Sequence, residues 1–364
     1  MFRMRNGAGR RARIGTSRRA GGLAQAEDSG GRGLAPGRGR LPDRHPTPDF
    51  FLCDFPGVLP KDDMASMEHP IFSLATRPDL RVLRYKRGAV EITVTPSVRG
   101  RATLFDKDIL IYCISQLMAA LNAGQPVSRT VSLRAHDLLV ATNRETSGDG
   151  YRRLVEAFER LAGTRITTNI ATGETLVTTG FGLIESWRIV RATKGGRMVQ
   201  VVVTLSEWLY RAVLSKAVLT LSRDYFRLRK PLERRVYELA RKHCGRQPEW
   251  RVGMAVLAEK SGSASPLRVF RRMIRDMIAA DPLPDYALEE APGDILVVRR
   301  RSAPLAPGEG PHLRAATLEE ARRRAPGWDV HALEAEWRDV WARTGRAPLR
   351  SSDAAFLGWL ARRL

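Results

Sequence analysis

The sequence has few cysteines, a deficit of acidic residues and no long apolar run. Its three cysteines, Cys53, Cys113 and Cys244, form no CxxC pair and stand at no metal-ligand spacing from a histidine. This spacing excludes a zinc ribbon and predicts buried or incidental thiols. No stretch of about 18 uninterrupted apolar residues occurs, and the arginine-rich start lacks the apolar segment of a signal peptide. We therefore expect a cytoplasmic protein with no membrane partner.

Catalytic motifs are missing as well. The chain has no GxxxxGK[ST] phosphate loop, no HExxH, no GxSxG and no aspartate pair suited to two-metal nucleotidyl transfer. Its six histidines never form the His-hydrophobic-His pair by which rolling-circle nickases hold a metal ion. The sequence therefore predicts a binding protein rather than an enzyme, with no catalytic residues, no cofactor and no bound metal.

Positive charge is abundant. The chain carries 61 Lys and Arg against 39 Asp and Glu, which gives a net charge of +22, and such a surface attracts DNA, RNA or an acidic membrane. Residues 1–50 hold 11 Arg and 4 acidic residues with few large apolar side chains, so we expect residues 1–49 to form a disordered basic tail. The remaining residues keep a charge of +15, so the folded part is itself basic.

Apolar periodicity and turn residues divide the rest of the chain into two similar halves. The first half begins with a hairpin around Lys86-Arg87-Gly88 and ends with a helix over 206–215. Between them the pattern predicts, in order, a long helix at 106–123, a strand at 130–133, a short helix at 135–141, an Arg-bearing helix at 151–161 and strands at 165–170, 175–179, 182–191 and 199–205. These strands form two hairpins, which we expect to supply a wing.

The second half repeats this order. The pattern predicts a long helix at 224–244, a short helix at 254–260, a Ser-rich turn at 261–265, an Arg-bearing helix at 266–280 and a hairpin of 286–289 with 295–299. We therefore predict an α+β fold with two tandem winged-helix domains, a type that places one helix in a DNA groove. The expected domains are 50–216 and 217–301, followed by a linker at 302–316 and a helical element at 317–364.

Double-stranded DNA is the expected ligand of both predicted domains. Arginine can bind guanine through two hydrogen bonds, so we assign base contacts to Arg268, Arg271, Arg272 and Arg275. Phosphate contacts are assigned to Lys260, Ser261, Ser263 and Ser265, and in the first domain to Arg144, Thr146, Ser147, Arg152, Arg153 and the wing residues Arg165, Lys194 and Arg197. The alternatives are a solvated cationic face for the second Arg-bearing helix and an ordinary capped loop for residues 142–150.

Tryptophan is concentrated near the C-terminus. Four of the seven tryptophans are Trp328, Trp337, Trp341 and Trp359, and the last three belong to helical apolar stripes. The pattern predicts a small helical element. Its apolar stripes either pack on each other or dock on another protein, and the sequence leaves both readings open.

Several strings in the chain resemble the bacterial plasmid replication initiator protein A family. They are KDDMASMEHP at 61–70, FDKDILIYCISQ at 105–116, TNRETSG at 142–148, FGLIESW at 181–187 and YFRLRKPLERRVYELARKHCG at 225–245. The C-terminal GWDVHALEAEW at 327–337 and DAAFLGW at 353–359 are also similar to the end of such initiators. Residues 1–49 carry no such resemblance.

The resemblance implies a non-enzymatic initiator that binds repeated sequences at a plasmid origin, helps open the duplex and recruits host replication proteins. It also implies a homodimer that represses its own gene and so contributes to plasmid copy control. A transcriptional repressor without initiation activity is the alternative, and its activity should survive deletion of residues 313–364. A primase or nickase is the third class, and it would form a metal-dependent product on origin DNA.

Overall fold

The computed structural model describes most of the chain beyond its basic N-terminal segment. The described residues are 39–45, 58–88, 90–172, 175–191, 198–245, 247–301, 311–343 and 349–364. Cys53, Lys194 and Arg197 lie outside these ranges, as does most of the predicted tail. Within the described ranges, no helix combines the length and the apolar character that crossing a membrane requires.

The described elements up to residue 220 alternate between short strands and helices. They are β1 (Lys61–Asp63), α1 (Met64–Glu68), β2 (Leu83–Arg87), β3 (Val90–Thr95), α2 (Lys107–Asn122), β4 (Thr130–Leu133), α3 (Ala135–Ala141), α4 (Gly148–Gly163), β5 (Arg165–Thr172), β6 (Thr175–Gly182), β7 (Ile184–Arg191), β8 (Met198–Leu205), α5 (Glu207–Leu214) and β9 (Val218–Thr220). Most of these bounds lie within two residues of the predicted ones.

The remaining elements form a second mixed segment and a helical C-terminus. After a 3-10 helix (Arg223–Arg227) come α6 (Pro231–Cys244), β10 (Glu249–Gly253), α7 (Met254–Ser261), α8 (Leu267–Ala280), β11 (Tyr286–Ala291), β12 (Ile295–Arg300), α9 (Ala315–Arg324), α10 (Val330–Arg343) and α11 (Ser352–Ala361). The three C-terminal helices follow residues 302–310, which lie outside the described ranges.

Two segments share one order of elements and one strand order. The first module comprises α2, β4, α3, α4 and the β7–β8 hairpin, and its sheet has the order β4-β8-β7. The second module comprises α6, β10, α7, α8 and the β11–β12 hairpin, and its sheet has the order β10-β12-β11. In both modules the strand after the first helix pairs antiparallel with the last strand of the hairpin. As a result, α4 and α8 occupy equivalent places.

The prediction that both hairpins of the first half form the wing is wrong for β5 and β6. These strands join β2 and β3 in a separate four-stranded sheet with the order β2-β3-β5-β6. Val94 of β3 pairs with Ile166 of β5, and both side chains are buried. Because β3 occupies one edge of β5 and β6 the other, β5 has no edge left for the sheet of β7 and β8.

The predicted long helix over 224–244 is divided in two. A 3-10 turn ends at Arg227, and α6 begins only at Pro231, after Lys230 in extended conformation. Proline disfavours helical conformation in the residue before it and suits the first position of a helix. The Glu233 carboxylate accepts hydrogen bonds from the backbone N–H groups of Arg229 and Lys230, at 3.0 and 2.9 Å. The proline therefore starts a new helix.

One apolar core extends through both modules. Ile109, Ile114 and Leu117 of α2 belong to the same cluster of buried residues as Val236 and Leu239 of α6. Short strands from the two segments also pair, because β1 is antiparallel to β9. The predicted domain boundary at 216/217 therefore falls within a shared core, and the two modules are packed against each other.

The two cysteines within the described ranges are structural. Cys113 of α2 and Cys244 of α6 are free thiols with no exposed surface. Burial raises the pKa of Cys113 to about 12. The prediction of buried thiols is confirmed for these two positions.

The C-terminal helices have a core of their own. Leu333 and Trp337 of α10 pack with Phe356 and Leu360 of α11, and the Trp337 and Phe356 ring centroids are 5.5 Å apart. Of the two readings of the tryptophan stripes, the structure therefore shows self-packing. The element also contacts the rest of the protein, since the Leu59 backbone N–H donates to the Gly327 carbonyl at 2.9 Å.

Asp329 should make the attachment of the C-terminal helices sensitive to acid. Burial alone would raise its pKa, but Lys61, Thr220 and Arg241 lower it to about 2. A carboxyl group with a lowered pKa stabilises the folded state above pH 4, and this contribution disappears as the pH falls toward 2. We expect wild type to exceed Asp329→Asn by about 2 kcal/mol in unfolding free energy at pH 5.

Urea unfolding of both proteins between pH 2 and pH 5 measures this difference. The difference in unfolding free energy between wild type and Asp329→Asn should shrink steadily as the pH falls. The difference between wild type and Asp276→Asn, which changes an exposed carboxyl group, should show no comparable dependence on pH. A difference between wild type and Asp329→Asn that stays constant over the whole range would contradict the prediction.

Candidate nucleic-acid interface

The outer surface of α8 is the most exposed cationic face in the second module. Phe270, Ile274 and Met277 are buried along one side of the helix. Residues one helical turn apart lie on the same face, so Arg268 and Arg272 share the opposite, exposed side. Pro266 precedes the first turn, and Asp281 ends the helix in left-handed conformation. The sequence prediction of this helix is confirmed.

The four predicted base-reading arginines of α8 fall into two pairs. Arg271 donates two hydrogen bonds to the Asp294 carboxylate, both at 2.7 Å, and Arg275 donates two to Glu290, at 2.8 and 2.9 Å. These hydrogen bonds raise the pKa of both arginines. Arg268 and Arg272 have no hydrogen bond or ion pair with any residue within the described ranges. The free guanidinium groups are therefore those of Arg268 and Arg272.

Part of the predicted phosphate site before α8 lies inside the protein. Lys260 is 5% exposed and pairs with Glu68, and Ser261 is fully buried. Hydrogen bonds from His243 and Lys260 lower the pKa of Glu68 far below its usual value. The end of α7 therefore lies against α1, which contains Glu68. The Arg235 guanidinium of α6 also donates to the Lys260 carbonyl at 2.7 Å. The assignment of Lys260 and Ser261 to phosphate is therefore wrong.

Ser263 and Ser265 keep the position that the sequence predicted for them. Both are partly exposed in the turn that leads into α8, and the Ser265 N–H donates to the Ser263 hydroxyl at 3.3 Å. Gly262 adopts left-handed conformation at φ 67° and ends α7. The turn therefore presents two hydroxyl groups beside the N-terminus of α8.

In the first module, α4 carries three arginines and three acidic residues, so its polar face is mixed in sign. The Arg152 guanidinium lies 3.2 Å from Asp149 and 2.9 Å from Glu156, and Arg153 lies 3.8 Å from Glu145. All are exposed or half-exposed pairs, which contribute little to stability and exchange readily with solvent. Arg152 and Arg153 therefore stand at the surface, where phosphate could replace their partners.

The turn before α4 combines a capped helix start with a close backbone approach. The Ser147 hydroxyl accepts from the Gly150 N–H at 3.4 Å, and Thr146 is exposed beside it. A Cβ atom at Gly150 would lie 1.9 Å from the Glu145 carbonyl oxygen, so only glycine fits there. These contacts agree with the capped-loop alternative, and Ser147 serves first as a helix cap.

Arg144 and Arg165 do not occupy the predicted positions. The Arg144 guanidinium is mostly buried, lies 3.1 Å from the Asp108 carboxylate and also donates to the Phe105 carbonyl. It therefore links the turn to α2 instead of facing solvent. Arg165 is exposed, but it starts β5 in the separate four-stranded sheet and does not belong to the β7–β8 hairpin. A wing contact by Arg165 is therefore excluded.

Residues 39–45 form a strap across the junction of the modules. The Leu41 N–H donates to the Arg227 carbonyl at 2.9 Å, and Arg40 pairs with Asp224 next to it. At the other end, the Asn143 side chain donates to the Pro42 carbonyl at 3.2 Å and accepts from the Arg44 N–H at 2.8 Å. The expectation of disorder does not hold for this part of the tail.

A buried charge cluster joins α2 to α6. The Lys107 ammonium lies 2.6 Å from Asp62 and 3.1 Å from Glu238, and all three side chains have no exposed surface. One turn of α6 away, the Arg234 guanidinium lies 2.6 Å from Asp108 of α2. Because each charge has an opposite partner, the cluster fixes the position of α2 on α6. It thereby fixes the placement of α4 relative to α8.

The sequence of this chain matches a known protein family over more than half of its length. The model of a family described as replication initiator protein A matches residues 61–288. The chain belongs to the replication initiator protein A family. The resemblance of its sequence strings to that family is thereby confirmed, and the protein is a replication initiator.

A curated relative supports the same assignment. A "Putative replication protein" of Wigglesworthia glossinidia brevipalpis is 39% identical to this initiator over 242 residues, which cover 65% of this chain and 88% of the relative.

Among solved structures, a crystal structure of domains 2 and 3 of RctB aligns with a TM-score of 0.48 and 11% identity, covering 65% of this chain and 96% of the other. A second RctB structure of these domains aligns with a TM-score of 0.44 and 13% identity, covering 64% and 95%.

Two arginines of this initiator, Arg234 and Arg235, are buried in α6. They lie off its apolar stripe, yet each is only 2% exposed. The Arg235 guanidinium donates to the carbonyls of Ser66 and Met67, at 3.1 and 2.9 Å, and also to Glu238. Arginine is rarely buried unless it is paired, and the Ser66 and Met67 carbonyls come from more than 160 residues upstream. The local apolar periodicity of α6 does not indicate these distant partners.

Proposed function

We propose that this initiator binds duplex DNA at repeated sequences of a plasmid origin, with α4 and α8 as its two recognition helices. The observation that carries the proposal is the free pair of guanidinium groups of Arg268 and Arg272 on the exposed face of α8. The buried cluster of Lys107, Asp62 and Glu238 supports it, because a fixed module junction lets one chain read two adjacent stretches of groove.

We infer that both modules are winged helices. Each has a helix, a strand, two helices and a hairpin, with the first strand paired to the last. In a winged helix the third helix enters the major groove and the hairpin lies along the backbone. By this reading the phosphate contacts are made by Ser263, Ser265, Thr146, Ser147, Arg152 and Arg153.

The initiator acts, in this proposal, by binding and not by catalysis. Bound repeats bring several copies together, which helps open the neighbouring duplex and recruits host replication proteins. A dimeric form represses the initiator's own gene. We assign the contact with host proteins to the C-terminal helices, because their core of Leu333, Trp337, Phe356 and Leu360 is separate from the core of the two modules.

Binding to DNA that flanks the protein's own gene tests the proposal. At a fixed, near-physiological salt concentration we expect a preference of about 10³ or more over shuffled DNA of equal length, with footprints at regular spacing. If about 8 phosphates are neutralised, log K should fall against log salt with a slope of about −7. Equal affinity for both DNAs would refute sequence-specific binding and leave only a basic protein on a polyanion.

Deletion of residues 311–364 should separate initiation from DNA binding. The shortened protein is expected to keep its affinity for the repeats within about threefold, since α4 and α8 are untouched, and to lose plasmid replication in cells. A footprinting assay and a transformation assay with an origin plasmid measure the two properties. Replication that survives the deletion would place the host contact elsewhere on the protein.

A further inference from the structure

One side chain on the exposed face of α8 is apolar. Val269 is 40% exposed, although its neighbour Phe270 is fully buried on the other side of the helix. We propose that Val269 contacts the 5-methyl group of a thymine, next to guanines bound by Arg268 and Arg272. The proposal rests on the proposed function, because it specifies the DNA sequence that α8 reads.

The position of Val269 follows from helix geometry. With 3.6 residues per turn, Arg268 and Arg272 form one row along the axis, and Val269 lies beside that row. The other side of the row is taken by Arg271 and Arg275, whose guanidinium groups are held by carboxylates of the β11–β12 hairpin. The row of Arg268 and Arg272 continues one turn later to Asp276, which is also exposed. The N-terminal part of this surface therefore presents two cations that have no partner among the described residues, with Val269 beside them.

This combination matches the chemistry of base edges in the major groove. Guanine presents two acceptors, N7 and O6, which fit a guanidinium group, and the thymine methyl is the apolar group on these edges. Residues four apart are separated by about 6 Å along a helix, whereas stacked bases are about 3.4 Å apart. The two guanines should therefore lie one or two base steps apart, with the thymine close to them.

The exposed face does not contribute to the stability of the helix. Like charges four residues apart, such as Arg268 and Arg272, destabilise an isolated helix. Neither guanidinium group has a compensating partner within the described residues, and the Val269 side chain remains partly hydrated. A bound base pair would supply partners for all three side chains at once.

Arg271 and Arg275 acquire a different role by the same geometry. Each donates through Nε and Nη2 to Asp294 or Glu290, so a base contact by these two atoms would first require loss of two hydrogen bonds. They are positioning residues that join α8 to its hairpin. This assignment departs from the sequence prediction, which gave all four arginines to base contacts.

Replacement of thymine by deoxyuridine tests the proposal, because it removes only the methyl group. Duplexes are selected from a random 30-base-pair pool with the full-length protein, the footprint is mapped, and each thymine is replaced in turn. One replacement should weaken wild-type binding about fourfold, the effect of one buried methyl group. The Val269→Ala protein should bind both forms of that duplex equally. Val98→Ala, at a 94% exposed valine remote in sequence from α8, should respond like wild type.

The outcomes separate the thymine contact from the proposed function. If every uracil replacement is neutral in wild type, or if the same replacement weakens Val269→Ala as strongly, the contact is overturned although specific binding stands. If wild type does not prefer selected over shuffled duplexes, the proposed function fails and the contact fails with it.

Discussion

Replacing Lys107 by methionine is expected to lower the free energy of unfolding by about 3–5 kcal/mol. Burial alone would lower the pKa of Lys107, but the carboxylates of Asp62 and Glu238 raise it, so the ammonium group stays charged. The substitution leaves the buried Asp62 side chain without its cation, whereas Glu238 keeps its ion pair with Arg235. Equilibrium unfolding in urea, read from the denaturation midpoint at constant slope, measures the loss.

Lys216→Met is the matched control for Lys107→Met. Lys216 is 46% exposed and lies 3.7 Å from Glu319, a partner that is itself half exposed. Its replacement should change the unfolding free energy by no more than about 0.5 kcal/mol. A similar small loss for Lys107→Met would mean that water enters the cluster, and the junction between α2 and α6 would not be fixed by these charges.

Loss of both free arginines of α8 should nearly abolish sequence preference. In an Arg268→Ala/Arg272→Ala double variant, specific binding is expected to weaken by about 2–6 kcal/mol, because each lost guanine contact is worth about 1–3 kcal/mol. Binding to shuffled DNA depends mainly on phosphate contacts and should fall much less. Fluorescence anisotropy with repeat and shuffled duplexes at one salt concentration measures both.

An Arg323→Ala/Arg324→Ala variant removes the same charge from α9, outside both modules. Both arginines pair with Glu320 on the protein surface. This variant should retain the preference for the repeat within about threefold. If the two double variants lose affinity equally, and equally on both duplexes, Arg268 and Arg272 contribute only charge, and the readout belongs to another surface.

Most helices and strands could be predicted because their determinants are local. The boundaries of α3, β4 and α8 follow from apolar spacing and from neighbouring turn residues such as Pro266. The split before α6 was also encoded locally, by Pro231, but the apolar stripe on both sides of it favoured a continuous helix. Three-residue strands such as β1 and β9 contain too little pattern to be recognised.

Long-range contacts explain what the sequence could not reveal about the candidate site. Basic residues look alike in a sequence whether they face solvent or a buried carboxylate. Lys260 and Arg144 were expected at the surface, yet their partners Glu68 and Asp108 come from distant segments. Arg268 and Arg272 were identified correctly as exposed. What distinguishes them from Arg271 and Arg275 is that the latter two pair with carboxylates of a hairpin about 20 residues later in the chain.

The shared core and the buried charge cluster hold the two modules at one fixed separation. Because α2 and α6 are packed together, the distance between α4 and α8 is set by the fold and not by a flexible linker. DNA turns once in about 10 base pairs, so inserting five base pairs between two contacted segments moves one of them to the opposite face of the duplex. Under the proposed function, an origin repeat contacted by both α4 and α8 must therefore keep its internal spacing, even where its bases vary.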